Sequence, residues 1–347
     1  MKDLVNQMFS GTFGSMRRRL EARESGRREV ARVMQVLETV VEGTDPAIRF
    51  VRGYRRKLHD AIATSLEYTE QLVADIPGAI EVSRTTFVAN PYVNAFFVNV
   101  KDLQMVFSRS SEVREFMDEC SRYDISHCYA LLCMRKSEKT VLGVELEGEV
   151  LRHDVRQTAV SFSDHRIYSP APTEADTRQG LKRCLFEGLG THALGRIMHL
   201  KVEIHRLQQE RQVLNARLRH LQHQTGDQRK KLPFDARVAA EMDDIRKQLG
   251  KIEETLLHSR LVAPEESLNQ VHAVFQRPDD FIRIQKSTLR LNKMCIKIDE
   301  HSTQPCNKIN LTEVVIGEES PRVVTLAKFP RDELLPPTEF PAQRIPS

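Results

Sequence analysis

Two His–Asp pairs, His153-Asp154 and Asp164-His165, are the residues whose types come closest to acid–base chemistry. They flank a predicted strand around 158–163, so a fold could bring them together to move a proton or to bind a metal ion. Adjacent residues on a strand point to opposite faces of the sheet, however, so a neighbouring His and Asp do not converge. The sequence contains no nucleophile elbow, paired catalytic carboxylates or HExxH motif. We therefore expect these four residues to be polar positions on the solvent-exposed face of a sheet. We predict no catalytic residue.

Cysteine and histidine residues form two loose groups that could suggest zinc. Structural zinc sites use four ligands, usually from two CxxC-like pairs, and neither group contains such a pair. A predicted strand places two of the cysteines on opposite faces, and a chain without a signal-peptide pattern is expected to keep its thiols reduced. We predict six free cysteines, no metal site and no cofactor. The groups are Cys120, His127, Cys128 and Cys133, and Cys295, His301 and Cys306.

A glycine-rich stretch, Gly188 to Gly195, invites comparison with loops that cradle phosphate groups. Such loops follow a strand and open a helix. The residues before Gly188 have a helical pattern instead, and the glycine spacing fits neither dinucleotide nor Walker motifs. Each glycine costs a helix about 1 kcal/mol relative to alanine, so we expect Gly180, Gly188, Gly190 and Gly195 to interrupt a helix here.

A basic cluster is the strongest candidate for a binding site. Its six cations stand against only Asp227 and Asp235, with His220 and His223 nearby. Such a cluster on an exposed projection can neutralise an acidic partner or the phosphates of a nucleic acid. The alternative is a solvated surface that keeps an exposed hairpin soluble. The predicted partner- or phosphate-binding residues are Arg217, Arg219, Arg229, Lys230, Lys231 and Arg237.

The element that carries this cluster is a pair of long helices over residues 193–261. Apolar residues recur in steps of three and four on both sides of a turn signal at Gly226-Asp227, with Pro233 just beyond it. Arg211 is the one polar interruption of the first series. The pattern predicts an antiparallel coiled-coil hairpin, in which facing residue numbers sum to 456, as in Leu218 with Val238 and Leu214 with Met242. The first series is Ile197, Leu200, Ile204, Leu207, Leu214, Leu218 and Leu221, and the second is Val238, Met242, Ile245, Leu249, Ile252 and Leu256.

Local signals predict the elements around this arm. A helix over 16–41 begins in an arginine-rich stretch between Arg17 and Arg32, and a second helix begins at Asp45-Pro46 and ends at Pro77-Gly78. Ser110 is a predicted cap, and Thr173 with Asp176 resembles a capping box.

Two-residue alternation predicts strands on both sides of the arm. The predicted strands are Cys128–Met134, Leu142–Leu146, 158–163, 289–298, Ile309–Ile316 and Val323–Leu326. Gly317 to Ser320 is a predicted hairpin turn, and Pro264 is expected to start a short helix that ends near Gln276.

The fold class that follows is α+β. A mixed helical and antiparallel-sheet body is interrupted by the long antiparallel coiled-coil hairpin and preceded by an N-terminal helical hairpin. The rival arrangement is two separate β-containing domains joined by the arm. The predicted segments are 1–80 (N-terminal helical hairpin), 81–192 (first part of the body), 193–261 (arm), 262–330 (second part of the body) and 331–347 (flexible tail).

Composition narrows the class of protein without identifying a function. The net charge is +4, charged residues make up 29% of the chain, and the longest apolar run is too short to cross a bilayer. We expect a cytoplasmic chain without membrane insertion, in which the arm, with or without the N-terminal hairpin, holds a protein partner as a non-enzymatic scaffold or adaptor. The alternatives are a nucleic-acid-binding protein that uses the basic cluster and the Arg17–Arg32 helix, and an enzyme or small-ligand binder with a site in the body.

Overall fold

The computed structural model describes residues 30–120, 125–147, 150–228, 236–299, 302 and 304–336. Helix α1 covers residues 30–44, and a 3-10 helix, Pro46–Phe50, follows it. The remaining helices are α2 (Tyr54–Ala74), α3 (Arg84–Ala89), α4 (Pro91–Phe96), α5 (Val100–Arg109), α6 (Ser111–Glu119), α7 (Glu174–Gln228) and α8 (Ala236–Gln276). The strands are β1 (Ile80–Glu81), β2 (His127–Glu147), β3 (Val150–Ala171), β4 (Ile282–Leu291), β5 (Asn307–Ile316) and β6 (Arg322–Pro330).

The chain forms two compact units that combine distant segments. One unit contains residues 1–65 and 188–277, and the other contains residues 66–187 and 278–347. The second unit mixes helices with an antiparallel sheet, as the α+β prediction requires. The first unit, within its described residues, is helical.

The sheet combines strands that precede α7 in the sequence with strands that follow α8. Its order is β3-β2-β6-β5-β4, with antiparallel pairing throughout, and β1 adds a short parallel pair on β6. Strand β2 pairs with β6 from His127 to Met134, although nearly 190 residues separate them in the chain. Of the two arrangements that the sequence leaves open, the structure therefore has a single sheet rather than two β-containing domains.

Strands β2 and β3 form a hairpin of 21 and 22 residues. The sequence predicts separate strands at Cys128–Met134 and Leu142–Leu146, whereas both segments lie in β2. The prediction was wrong about the break because Arg135 to Thr140, a polar stretch, pairs with β3 through Ser163 to Thr158. A polar stretch can continue a strand when a partner strand satisfies its backbone groups.

Three β-bulges bend this hairpin. At each one, two residues of β3 oppose a single residue of β2, and one of the two has a positive φ. These residues are Asp154 (61°), Asp164 (52°) and Ser169 (51°). Aspartate enters this left-handed region more readily than most residues, because its short side chain can hydrogen-bond locally.

The two faces of the sheet are covered by different helices. Alternate residues on one face pack with the short helices α3 to α6 around Phe96, Phe107 and Phe329. Alternate residues on the other face pack with the C-terminal part of α2 and the first turns of α7, through Ile76 and Leu181. The central part of the sheet, β6 and residues 128–134 of β2, is thus buried on both faces, whereas residues 135–143 of β2 are largely exposed.

Arg178 fastens the first turns of α7 to the end of α2. Its guanidinium donates hydrogen bonds to the carbonyl oxygens of Val73 (2.6 Å), Ile76 (2.9 Å) and Pro77 (3.2 Å). Glu174 accepts a hydrogen bond from Arg178 and another from the Ala79 amide. The last carbonyl groups of a helix have no hydrogen-bond donor within the helix, and here one arginine provides the donors.

In the first unit, Asp45 connects three elements. Its carboxylate accepts hydrogen bonds from the Ala47 amide (3.1 Å) and the Ser267 hydroxyl (2.8 Å), and Lys201 approaches it to 3.2 Å. The predicted N-cap at Asp45 is confirmed, but it begins a 3-10 helix, and helix α2 begins only after Gly53. Gly53 has a φ of 78°, which suits glycine, so the backbone turns there.

Two predicted helix boundaries are wrong. Helix α7 runs unbroken from Glu174 to Gln228 through all four glycines, and α8 continues through Pro264. Burial explains both results, because each fully buried leucine contributes about 1.5–3 kcal/mol, more than one glycine costs. The buried residues around the glycines are Leu181, Leu189, Ala193 and Ile197, and those after Pro264 are Leu268, Val271, Val274 and Phe275.

Within the described ranges, no helix combines the length and the apolar character that crossing a lipid bilayer requires.

Candidate functional sites

The predicted basic cluster is only partly within the described chain. Arg217 and Arg219 lie on α7 and Arg237 lies on α8, and all three are exposed. The predicted residues Arg229, Lys230 and Lys231 lie outside the described residues. Arg217 forms an ion pair with Glu241 across 2.5 Å, so a carboxylate from α8 already neutralises one cation of the cluster.

Side chains of α7 and α8 pack together next to this ion pair. Leu221, Ile245 and Leu249 are buried in a common cluster, against which four partly buried residues pack. The four residues are Leu214, Leu218, Val238 and Met242. All seven belong to the apolar series that the sequence contains.

The opposite face of α7 carries a second, exposed series. Met198, Val202 and Val213 are 52%, 63% and 67% exposed. At 100° per residue, all three fall within about 60° of one another and point away from the packed series. Two small residues, Gly195 and Ala216, lie on the same face and are also exposed.

The two His–Asp pairs do not form a catalytic constellation. Asp154 and Asp164 lie in separate bulges ten residues apart on β3, about 30 Å along an extended strand. The His153 side chain lies outside the described part of the chain. Asp164 accepts a hydrogen bond from Arg322 (2.8 Å), and this bond, with the charge of Arg166, holds its pKa below the ordinary value despite partial burial.

His165 points to the other face of β3. Its ring stacks on Phe97 with centroids 5.1 Å apart, and Nε2 lies 2.9 Å from the Phe96 carbonyl oxygen, which can accept only if Nε2 carries the proton. Burial lowers the pKa of His165, so the ring is neutral near pH 7. The packing makes this histidine part of the junction between α4 and the sheet.

His165 also lines a wide, polar cavity of about 440 Å³ beside α5 and α6. Asp102, Arg109 and Glu112 line it too. Burial, together with the nearby Glu115, raises the pKa of Glu112. The cavity supplies carboxyl, imidazole and guanidinium groups, and its serines lie at the helix starts, where Ser110 caps α6.

The six cysteines are free thiols. Cys128 lies in the packed core on one face of β2 and Cys133 lies on the other, as the strand periodicity predicts. Burial raises the pKa of Cys128 to about 12. Among the described residues, no three His, Cys, Asp or Glu side chains are grouped so that they could hold a metal ion; His301 is outside them.

A second cavity, of about 370 Å³, lies between the sheet and the segments of α2 and α7 that cover it. Most of its lining is apolar, and Arg166, Tyr168 and Arg322 provide polar groups. None of the predicted site residues lies in this cavity. Its residues come from six separate segments with no common motif, so no pattern in the sequence signals it.

Comparison of the chain with protein-family models, with curated proteins and with solved structures gives no match.

Proposed function

We propose that the protein is a non-enzymatic scaffold that holds a protein partner through α7 and α8, paired as an antiparallel coiled-coil hairpin. The proposal includes a cytoplasmic location, because a reducing compartment maintains free thiols such as these six. The exposed series Met198, Val202 and Val213 is the observation that carries it.

The contacts between α7 and α8 support the hairpin. In an antiparallel pair, flanking positions that form ion pairs have a number sum close to that of the packed layers. Arg217 and Glu241 sum to 458, within two residues of the predicted register of 456. The seven clustered apolar residues lie where that register places the seam.

The exposed series indicates the kind of partner. One face of α7 is occupied by α8, and the opposite face carries two groups of apolar or small residues, Gly195, Met198 and Val202 and, eleven residues after Val202, Val213 and Ala216. A helix with two such faces can pack on two neighbours. An amphipathic helix of another protein would bury this second series, and the small residues would allow close approach.

A photo-cross-linking amino acid placed at Val213 tests this surface in the full-length chain. Position 212 is the matched control, because Gln212 is also exposed but lies 100° away around the helix. We expect Val213 to cross-link one protein through a segment with heptad spacing, and Gln212 to cross-link it weakly. A synthetic peptide of that segment should bind the purified chain, tenfold less tightly after V213E and unchanged after Q212E.

Two results would contradict the proposal. Equal cross-linking from both positions would mean that the apolar series is ordinary surface. Cross-linking of Val213 only to a second copy of the chain, with a dimer mass by light scattering, would make this face a self-association surface instead.

A further inference from the structure

The second cavity has the features of a site for a small amphiphilic molecule. Its volume of about 370 Å³ lies in the range of ligand-binding pockets. It lies entirely within the second unit, and none of its lining residues belongs to α8 or to the proposed partner surface. Its apolar walls include Leu72, Leu131, Leu181, Leu185, Val314 and Val324.

Arg322 provides the cationic group of the cavity. One terminal nitrogen, Nη2, donates to Asp164 across 2.8 Å. The other, Nη1, is buried and has no hydrogen-bond partner among the described residues. A buried cationic donor without an acceptor is unfavourable. Because Arg322 lines the cavity, its guanidinium is the group that would turn to meet a ligand acceptor.

The charges around Arg322 favour an anion. Arg166 also lines the cavity and lies 3.4 Å from Asp164, so two guanidinium groups share one carboxylate. Glu319, the remaining charged lining residue, is exposed in the turn after β5, where water screens its charge. A carboxylate suits a guanidinium because both groups are planar and can form paired hydrogen bonds.

We infer that this cavity binds a small apolar carboxylic acid, with its carboxylate on Arg322 and its hydrocarbon part along Leu131, Leu181, Leu185 and Val324. This site is independent of the proposed scaffold surface on α7. The second unit thus has a ligand site of its own.

The wild-type chain offers a direct test because Cys184 is exposed and lines the cavity. Decanoate and 1-decanol are matched probes, since they share a ten-carbon chain and differ in the charge of the head group. We expect decanoate to slow maleimide labelling of Cys184 severalfold and decanol to slow it much less. Cys306, which does not line the cavity, should react at the same rate in all samples.

Two substitutions, R322Q and L185F, separate the role of charge from the role of space, and R156Q is their control. R322Q removes the charge and keeps the shape, and should weaken decanoate binding at least tenfold in calorimetry while leaving decanol binding unchanged. R156Q removes an exposed arginine of β3 away from the cavity and should change neither. L185F fills part of the cavity and should weaken both probes, which keeps the test valid if R322Q does not fold.

The inference is overturned if decanoate leaves the labelling rate of Cys184 unchanged at millimolar concentration. Equal protection by decanol and decanoate would also overturn it, because the site would then be apolar without selecting a carboxylate. The scaffold variant V213E should bind decanoate normally, so failure of one proposal does not affect the other.

Discussion

The Ser267 hydroxyl donates a 2.8 Å hydrogen bond to the carboxylate of Asp45, a residue 222 positions earlier in the chain. The same carboxylate caps the 3-10 helix and approaches Lys201. One buried aspartate thus joins the 3-10 helix, α7 and α8 within the first unit.

Replacement of Asp45 should make unfolding easier and less dependent on pH. Burial alone would raise the pKa of Asp45, but its hydrogen bonds to Ser267, Ala47 and Lys201 outweigh burial and lower it from 3.8. A carboxyl whose pKa is lowered by folding stabilises the protein above its unfolded pKa, and this stabilisation is lost as the pH falls through the folded value. D45A should cost about 1–2 kcal/mol at pH 7.

Urea unfolding at pH 7 and near pH 3 measures this effect. The difference between wild type and D45A should shrink at the lower pH, while D60A, at an exposed aspartate, should behave as wild type at both. A difference that stays constant between the two pH values would mean that the charge of Asp45 contributes nothing.

Replacement of Arg178 should destabilise the second unit strongly. Its removal leaves carbonyl groups at the end of α2 without their donors and Glu174 without its partner. We expect R178A to lower the free energy of unfolding by about 2–3 kcal/mol, since hydrogen bonds to charged groups contribute more than neutral ones. R183A, which removes a highly exposed arginine one turn later, is the control and should cost less than about 0.5 kcal/mol.

The glycines of α7 should respond to alanine in two different ways. A Cβ atom at Gly188 or Gly190 would meet nothing within 4 Å, so G188A and G190A should stabilise the helix by about 0.4–1 kcal/mol each. At Gly180 the added Cβ would lie 3.0 Å from Ser169 Oγ, so G180A should gain less or lose stability. Thermal unfolding of the three variants compares them directly, and equal effects would contradict the described packing.

Position 154 should tolerate glycine better than a β-branched residue. Its φ of 61° at the bulge is in the left-handed region, which costs a residue with a Cβ about 1–2 kcal/mol. We expect D154G to keep or increase stability and D154V to reduce it by at least about 1 kcal/mol. The same pair of changes at Arg156, two residues later, is the control: there valine should be preferred and glycine should destabilise.

Charge reversal at Arg229, Lys230 and Lys231 remains a test of the basic cluster. We expect the triple variant to keep its melting temperature, because exposed charges contribute little to folding, and to lose affinity for an acidic or phosphate-bearing partner at low salt. Identical recovery of bound partners by both proteins, at low and at high salt, would leave the cluster as solvated surface.

Contacts close in sequence were predictable because a single side chain satisfies a nearby backbone group. Ser110 caps α6 by accepting from the Val113 amide, Thr173 accepts from the Asp176 amide at the start of α7, and Gly317 forms the turn between β5 and β6. The apolar series that packs α7 against α8 also follows from helical periodicity.

Features that depend on distant residues were not predictable. The continuity of α7 through its glycines and the cavity at Arg322 both rest on contacts between segments remote in the chain, as in the 158 residues between Asp164 and Arg322. Sequence patterns encode which residues prefer burial and which can cap or turn the backbone. Only the tertiary structure decides which segments meet, because burial against a distant segment can outweigh a local cost of about 1 kcal/mol.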